Sequence, residues 1–281
     1  MRNLRYPNFA GIFYPSKKEE LLDSLTHCFN YSDFGPKDKI KKSIRKRIYG
    51  LIVPHAAYVF SGAIAAHAYY EISDVNADTF ILIGPDHNGI GSKVSMIVEG
   101  SWKTPLGIVE INNTISEKIM NASSNISIDV NAHNYEHSLE VQIPFLQHIK
   151  QDNFTIVPIL LKDQDSDTAI ELGKSVSEAT RNTSSLIIAT SDLTHYETYE
   201  QAYNKDLELI KKIERLDIES FYRNIRELNV SLCGQGPIAA LIKAVKLQGA
   251  KNGILLKYST SGDTECDYKN TVVGYSSIAM I

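Results

Sequence analysis

Nowhere in the chain does an uninterrupted apolar run approach the ~18 residues that a membrane-spanning helix needs. Met1 to Glu20 also lacks the apolar core of a signal peptide, so the chain is expected in the cytoplasm with no membrane partner. Cysteine is scarce: Cys28, Cys233 and Cys266 are too few and too far apart for a disulfide framework, and each reads as a thiol. An excess of one charge is missing as well. Twenty-nine Lys and Arg stand against thirty-three Asp and Glu, a net charge of −4, which offers nothing to a polyanion and argues against nucleic acid. The local exception, Lys37 to Arg47, has seven basic residues in eleven and reads as a solvated connector. There is no GxGxxG, no GxSxG and no CxxC, and GPDHNGIGSK carries Ile90 where a phosphate loop needs lysine. Those absences remove nicotinamide, flavin, serine-hydrolase, zinc-ribbon and Walker-type readings. No internal repeat or low-complexity segment appears.

What is present is an ordinary globular composition, 43% hydrophobic and 22% charged over 281 residues, expected to form one α/β domain spanning 1–281. Short β-branched runs at Tyr49–Val53, Thr79–Ile83, Val94–Glu99, Phe154–Leu161, Ser185–Ala189, Gly253–Tyr258 and Val272–Met280 read as strands. Several are almost wholly apolar, as in sheets covered on both faces. Helical periods lie at Gly62–Ile72, Ile115–Asn121, His137–Lys150, Thr168–Ala179, Glu200–Glu214, Ile218–Arg226 and Pro237–Leu247. The alternation predicts a three-layer α/β/α fold around a mostly parallel sheet. Trp102–Ile111, with Pro105 and Gly107 between extended pieces, reads as a hairpin and makes the sheet mixed.

In open α/β sheets the ligand crevice lies beyond the carboxyl ends of the strands. There the chain places His55 (GLIVPHAAY), Asp86 and His87 (FILIGPDHNG), and Asp192 and His195 (LIIATSDLTHY). Histidine held at a strand end can present a ring nitrogen to a metal, so His55 and His87 are expected to share a pocket. Cys233 immediately precedes a predicted helix starting at Pro237, a setting that favours thiolate. In EHSLEVQIPF, His137 and Glu140 stand three apart at a helix start and are expected on one face beside the pocket, as is Asp86. Glu136, Ser138 and Gln142 can cap that helix or orient ligands. His27, His67, His133, His148 and Cys28 read as surface or packing groups, and Cys266 as an exposed thiol.

Seven motifs in order, AGIFYP (10–15), PHAAYVFSG (54–62), GPDHN (84–88), WKTPLG (102–107), EHSLEVQIPF (136–145), SDLTHY (191–196) and CGQGPI (233–238), resemble those of the Memo (mediator of cell motility) family and its archaeal and bacterial relatives. The resemblance implies a fold related to class III extradiol dioxygenases, whose non-haem iron is held by two histidines and a carboxylate. Carried onto this sequence, His55, His87 and Cys233 match the ligands of a mononuclear divalent metal. His195 matches the acid/base histidine, with Asp192 orienting it. The departure is a thiolate in place of the carboxylate, a softer donor that suits copper or zinc as well as iron. The resemblance also implies a functional association of prokaryotic members with radical-SAM proteins. Iron is the first expectation and copper or zinc the second, in a redox-active, dioxygenase-like oxidoreductase acting on an unknown substrate. Two alternatives stand beside it: a non-catalytic Memo-type module that binds a peptide or small molecule, and a zinc or cysteine hydrolase.

Overall fold

The computed structural model describes residues 3–30, 34–37, 47–151, 153–264 and 270–281. Most of the basic connector, residues 38–46, and Cys266 lie outside them. Among the described residues twelve strands form the sheet: β1 (Leu4–Arg5), β2 (Gly50–Val53), β3 (Thr79–Pro85), β4 (Val94–Met96), β5 (Ser101–Thr104), β6 (Gly107–Ile111), β7 (Ile126–Ile128), β8 (Thr155–Leu161), β9 (Ser185–Thr190), β10 (His195–Glu197), β11 (Gly253–Thr260) and β12 (Val272–Met280). The helices are α1 (Lys18–Asn30), α2 (Ala63–Glu71), α3 (Asn113–Asn121), α4 (Val130–Asn134), α5 (Ile143–Lys150), α6 (Ser166–Ala179), α7 (Tyr199–Glu214), α8 (Ile218–Glu227), α9 (Gln235–Gln248) and the short α10 (Ser261–Thr264).

Strands run in the order β1-β5-β6-β8-β3-β9-β2-β12-β10, and β6 through β2 are parallel. The β5–β6 hairpin and the β12 pairings are antiparallel, so the sheet is mixed as expected. Along the central strands, side chains alternate between two cores. Leu51, Val53, Phe80, Leu82, Leu186 and Ile188 pack beneath α1, α2 and α5. Ile52, Ile81, Ile83, Ile187 and Ala189 pack beneath α3, α6 and α9. Both faces are covered, which is why these strands show no polar alternation. Pro158, with no N–H to donate, falls between the part of β8 paired to β6 and the part paired to β4.

The boundaries differ from expectation where polar side chains intervene. The predicted helix His137–Lys150 begins as a 3₁₀ turn at Glu140–Gln142, and α5 proper starts at Ile143 with Pro144 in its first turn. The predicted helix at Pro237 begins two residues earlier, at Gln235, with Gly234 as its N-cap. The strand expected at Val94–Glu99 stops at Met96, and β1, β7 and α4 had no counterpart in the sequence reading. For the site, the decisive feature is that β3, β9 and β2 are neighbours in that order. Their carboxyl ends therefore deliver His87, Asp192 and His55 to one edge.

Candidate metal centre

His55 follows β2 through Pro54 and is almost completely buried. Its backbone N–H donates to Asp192 Oδ1 at 2.8 Å, which anchors the turn. Its ring Nδ1 pairs with Thr190 Oγ1 at 2.8 Å, and its Nε2 stands 3.1 Å from Cys233 Sγ. Thr190 Oγ1 in turn accepts from Gln142 Nε2, whose amide oxygen accepts from Tyr69. A chain of buried hydrogen bonds thus holds the rear of the ring and leaves Nε2 directed at the thiol. Burial, then the neighbouring His87, hold the His55 pKa well below the ordinary value, so the imidazole is neutral.

His87 follows β3, with about a third of its side chain open to solvent. Glu136 grips it twice: Oε2 accepts the His87 backbone N–H at 2.7 Å and Oε1 accepts from ring Nδ1 at 2.9 Å. The tautomer that donates Nδ1–H to a carboxylate carries its lone pair on Nε2, as a ligating histidine requires. Burial opposes the charged form of His87, but the Glu136 bond outweighs it and raises the pKa. Glu136 itself is buried, yet its bond to His87 and the nearby imidazoles bring it down to about 2. The His55 and His87 rings meet edge to face with centroids 5.0 Å apart.

Cys233 enters just ahead of α9, against the residues that follow β9. Its Sγ accepts the Asp192 backbone N–H at 3.2 Å, while the Gly234 N–H donates to Ser191 Oγ at 2.9 Å. A Cβ on Gly234 would lie 2.5 Å from the Thr190 carbonyl oxygen, so only glycine lets this turn sit on the end of β9. The expected lowering of the thiol pKa is not found. Burial, followed by the charge of Asp192, pushes Cys233 upward, and the residue precedes the N-cap, outside the first helical turn where a helix would oppose that rise. Donor atoms of His55, His87 and Cys233 all lie within 4.8 Å of one another, and so do those of a second set, His87, Glu136 and His137.

The other expected residues are distributed differently. His137 lies against the pocket, its ring stacked on His87 at 4.8 Å and on Phe13 at 4.2 Å, with Nδ1 3.3 Å from Glu136 Oε1. Burial and the neighbouring His55 bring its pKa down to about 3. Glu140 does not share that face. Its carboxylate turns away to Arg5 at 2.6 Å, Tyr14 at 2.7 Å and the N–H groups of Phe9 and Asn8. Asp86 likewise turns from the pocket, accepting the N–H groups of Asn88, Gly89 and Gly91 and so shaping the loop behind His87. Asp192 was expected to orient His195, but its hydrogen bond goes to His55. His195 is held by Ser231, whose carbonyl pairs with ring Nδ1 at 2.8 Å and whose hydroxyl accepts the backbone N–H at 2.8 Å. Nothing in the local sequence singled out Ser231, Thr190 or Phe13, since each acts through a fold-dependent contact. Elsewhere, His133 is buried against Trp102 and bonds Ser95, His148 stacks on Phe29, and His67 bonds the Phe34 carbonyl. Cys28 is buried in α1, with burial pushing its thiol to about 12. Among the described residues, no helix is long and apolar enough to cross a membrane.

Fold and site together define a three-layer α/β protein whose sheet edge presents a His/His/Cys cluster able to hold a metal ion. The chain belongs to the Memo family: the family described as Memo-like protein matches residues 5–279. It is 42% identical over 286 residues to a MEMO1 family protein of Methanocaldococcus jannaschii, covering 99% of each chain. It is 41% identical over 278 residues to one of Nitrosopumilus maritimus, covering 99% of this chain and 100% of the relative. In the solved crystal structure of an uncharacterized Escherichia coli K12 protein the fold recurs, with a TM-score of 0.50 at 11% identity, covering 84% of this chain and 100% of that one.

Proposed function

We propose that the chain is a mononuclear metal protein in which His55, His87 and Cys233 are the ligands and the metal is a redox centre, iron first and copper second, while the same donors also accept redox-inert zinc. The observation that carries this is convergence. Three donor atoms from three separate loops lie within 4.8 Å, and the rear nitrogen of each imidazole already has a partner. A neutral His55 imidazole and a His87 ring held by Glu136, beside a thiol that is costly to ionise alone, form a donor set completed by a cation, because a coordinated thiol is deprotonated outright. When bound, such a metal supplies a Lewis-acidic, electron-carrying centre with an open position for dioxygen or substrate.

The chain's own groups divide the remaining work. Glu136 keeps His87 in its ligating tautomer, and Asp192 holds the His55 turn through the backbone N–H. His195, with Nδ1–H donated to the Ser231 carbonyl, offers Nε2 as the nitrogen that takes up or releases a proton beside the open position. This supports a dioxygenase-like oxidoreductase acting on a small substrate. The rival with an observation in its favour is a cysteine hydrolase, since Cys233 and His55 are in contact at 3.1 Å. Against it, burial raises the thiol pKa, the reverse of what an activated nucleophile needs.

Metal analysis of protein purified without oxygen, followed by spectroscopy on exposure to air, decides between them. Bound iron or copper that changes oxidation state on oxygenation supports the redox reading. Stable zinc or a metal-free protein favours the hydrolase or a binding module. His195→Ala should keep its metal while oxygen-dependent reoxidation slows by ~10²-fold or more, the usual contribution of a positioned acid or base.

A further inference from the structure

A second space adjoins the candidate centre. A cavity of about 650 Å³ opens between the 11–16 loop, α1 and the start of α2. That is the size of a small-molecule pocket rather than a packing defect. Phe13, Cys28, Ala57, Tyr58, Val59 and Ala63 contribute its apolar wall. Ser16, Glu20, Ser24 and His27 add polar groups to the wall, and the Glu20 carboxylate is paired with Lys17 at 2.7 Å.

Two features tie the cavity to the cluster. Phe13 belongs to both: one side of its ring stacks on His137 at 4.2 Å, and His137 stacks on His87, while the same residue lines the cavity. Ala57 and Tyr58 follow His55 by two and three residues on one turn, which continues as a π-helical turn at Tyr58–Gly62 that leaves Val59 53% exposed. Such wide turns inside helices concentrate at functional sites. Phe13 is therefore a partition between apolar space and an imidazole cluster, and an aromatic side chain can change rotamer without disturbing the backbone.

Resting on the metal-centre reading, we infer that the substrate carries an uncharged apolar body, aromatic or branched aliphatic, that fills this cavity while one oxygen or sulfur donor at its end reaches the metal past Phe13. Substrate selection then lies in the cavity, and chemistry lies at the cluster.

Cobalt(II)-loaded protein tests this, because its visible spectrum reports donors arriving at the ion. Acetohydroxamate and 6-phenylhexanohydroxamate carry the same chelating head and differ only in the apolar body. With each buried methylene worth a factor of about 4 in affinity, the phenylhexyl probe should bind at least ~30-fold more tightly. Ala63→Phe, which fills the cavity from a half-buried position, should reduce that ratio below about threefold. Equal affinities of the two probes for the wild-type protein overturn the inference and leave the metal reading intact. A protein that takes up no cobalt overturns the metal reading and with it the donor end of the inference, and the apolar body is then judged by a metal-free measurement: 6-phenylhexanamide should give intermolecular NMR contacts to the Ala57 and Ala63 methyl groups. Their absence overturns the cavity assignment whatever the metal does.

Discussion

Glu136 and Glu140 lie four residues apart in one segment, both almost completely buried, and both facing a basic group and backbone N–H donors. By burial and charge they are the same residue. Their partners separate them. Glu140 closes on the Arg5 guanidinium, the Tyr14 hydroxyl and two backbone amides, a set in which every group is satisfied and nothing remains to bind a ligand. Arg5 also stacks on Trp102 at 4.1 Å, so this pair fastens the amino-terminal segment to the sheet. Glu136 instead engages one nitrogen of His87 and approaches one of His137, and an imidazole has a second nitrogen to offer. A buried carboxylate marks a functional site when its partner keeps unused valence.

The largest expected effect tests the structural member of the pair. Glu140→Gln leaves the Arg5 charge buried and unpaired, and should cost about 3–5 kcal/mol in urea unfolding, with metal affinity of the folded protein changed less than about threefold. A comparable loss of metal affinity would erase the contrast. Glu136→Gln should do the opposite, lowering metal affinity by ~10–100-fold, as for other groups that orient a ligating histidine. His55→Ala and Cys233→Ser should exceed that in zinc or copper titrations, with iron less sensitive to the loss of sulfur.

Acidification sharpens the comparison next. His137 beside the cluster and His133 against Trp102 both have pKa values of about 3, below the ordinary 6.5, with burial the leading cause. The unfolded chain therefore takes up protons between pH 6.5 and 3 that the folded chain refuses. The stability is complete above pH 6.5 and falls as pH drops through that window, by about 1.4 kcal/mol per pH unit for each histidine. Glu136, at about 2, works in the same direction lower down: its contribution is present above the ordinary 4.5 and is lost as pH falls toward 2. Denaturant midpoints measured from pH 7 to 4 should therefore decline, and His133→Gln should flatten the decline with no change in metal stoichiometry. A flat wild-type profile would mean that these rings are solvated. The smallest effect belongs to Asp86→Asn, which weakens bonds to loop amides and should cost about 1 kcal/mol, with metal content unchanged by elemental analysis.

Legibility in the sequence followed locality. The apolar runs of β3, β8 and β9 announce strands covered on both faces, and the Pro105–Gly107 turn announces the β5–β6 hairpin. His55, His87 and Asp192 were visible as polar residues ending apolar runs, since a parallel sheet exposes that edge. The partners of Glu140, Asp192 and His195 were not visible. Helical spacing put Glu140 beside His137, but a 3₁₀ turn changed the direction, and Arg5 lies 135 residues away along the chain. Cys233 shows the same division within one residue. Its place ahead of a helix is written in CGQGPI, yet burial against Asp192 decided its ionisation in the direction opposite to the helix effect.

The sequence by itself determined the strand and helix types, the two-faced core and which residues end strands, because those depend on periodicity and on chemistry within a few positions. The tertiary structure alone decided which polar groups meet. Cys233 and His55 are separated by 178 positions and stand 3.1 Å apart only because β2 pairs with β9 and the Gly234 turn rests on the end of β9. Strand order and close approach are set by the packing of the whole sheet, and no local pattern encodes them.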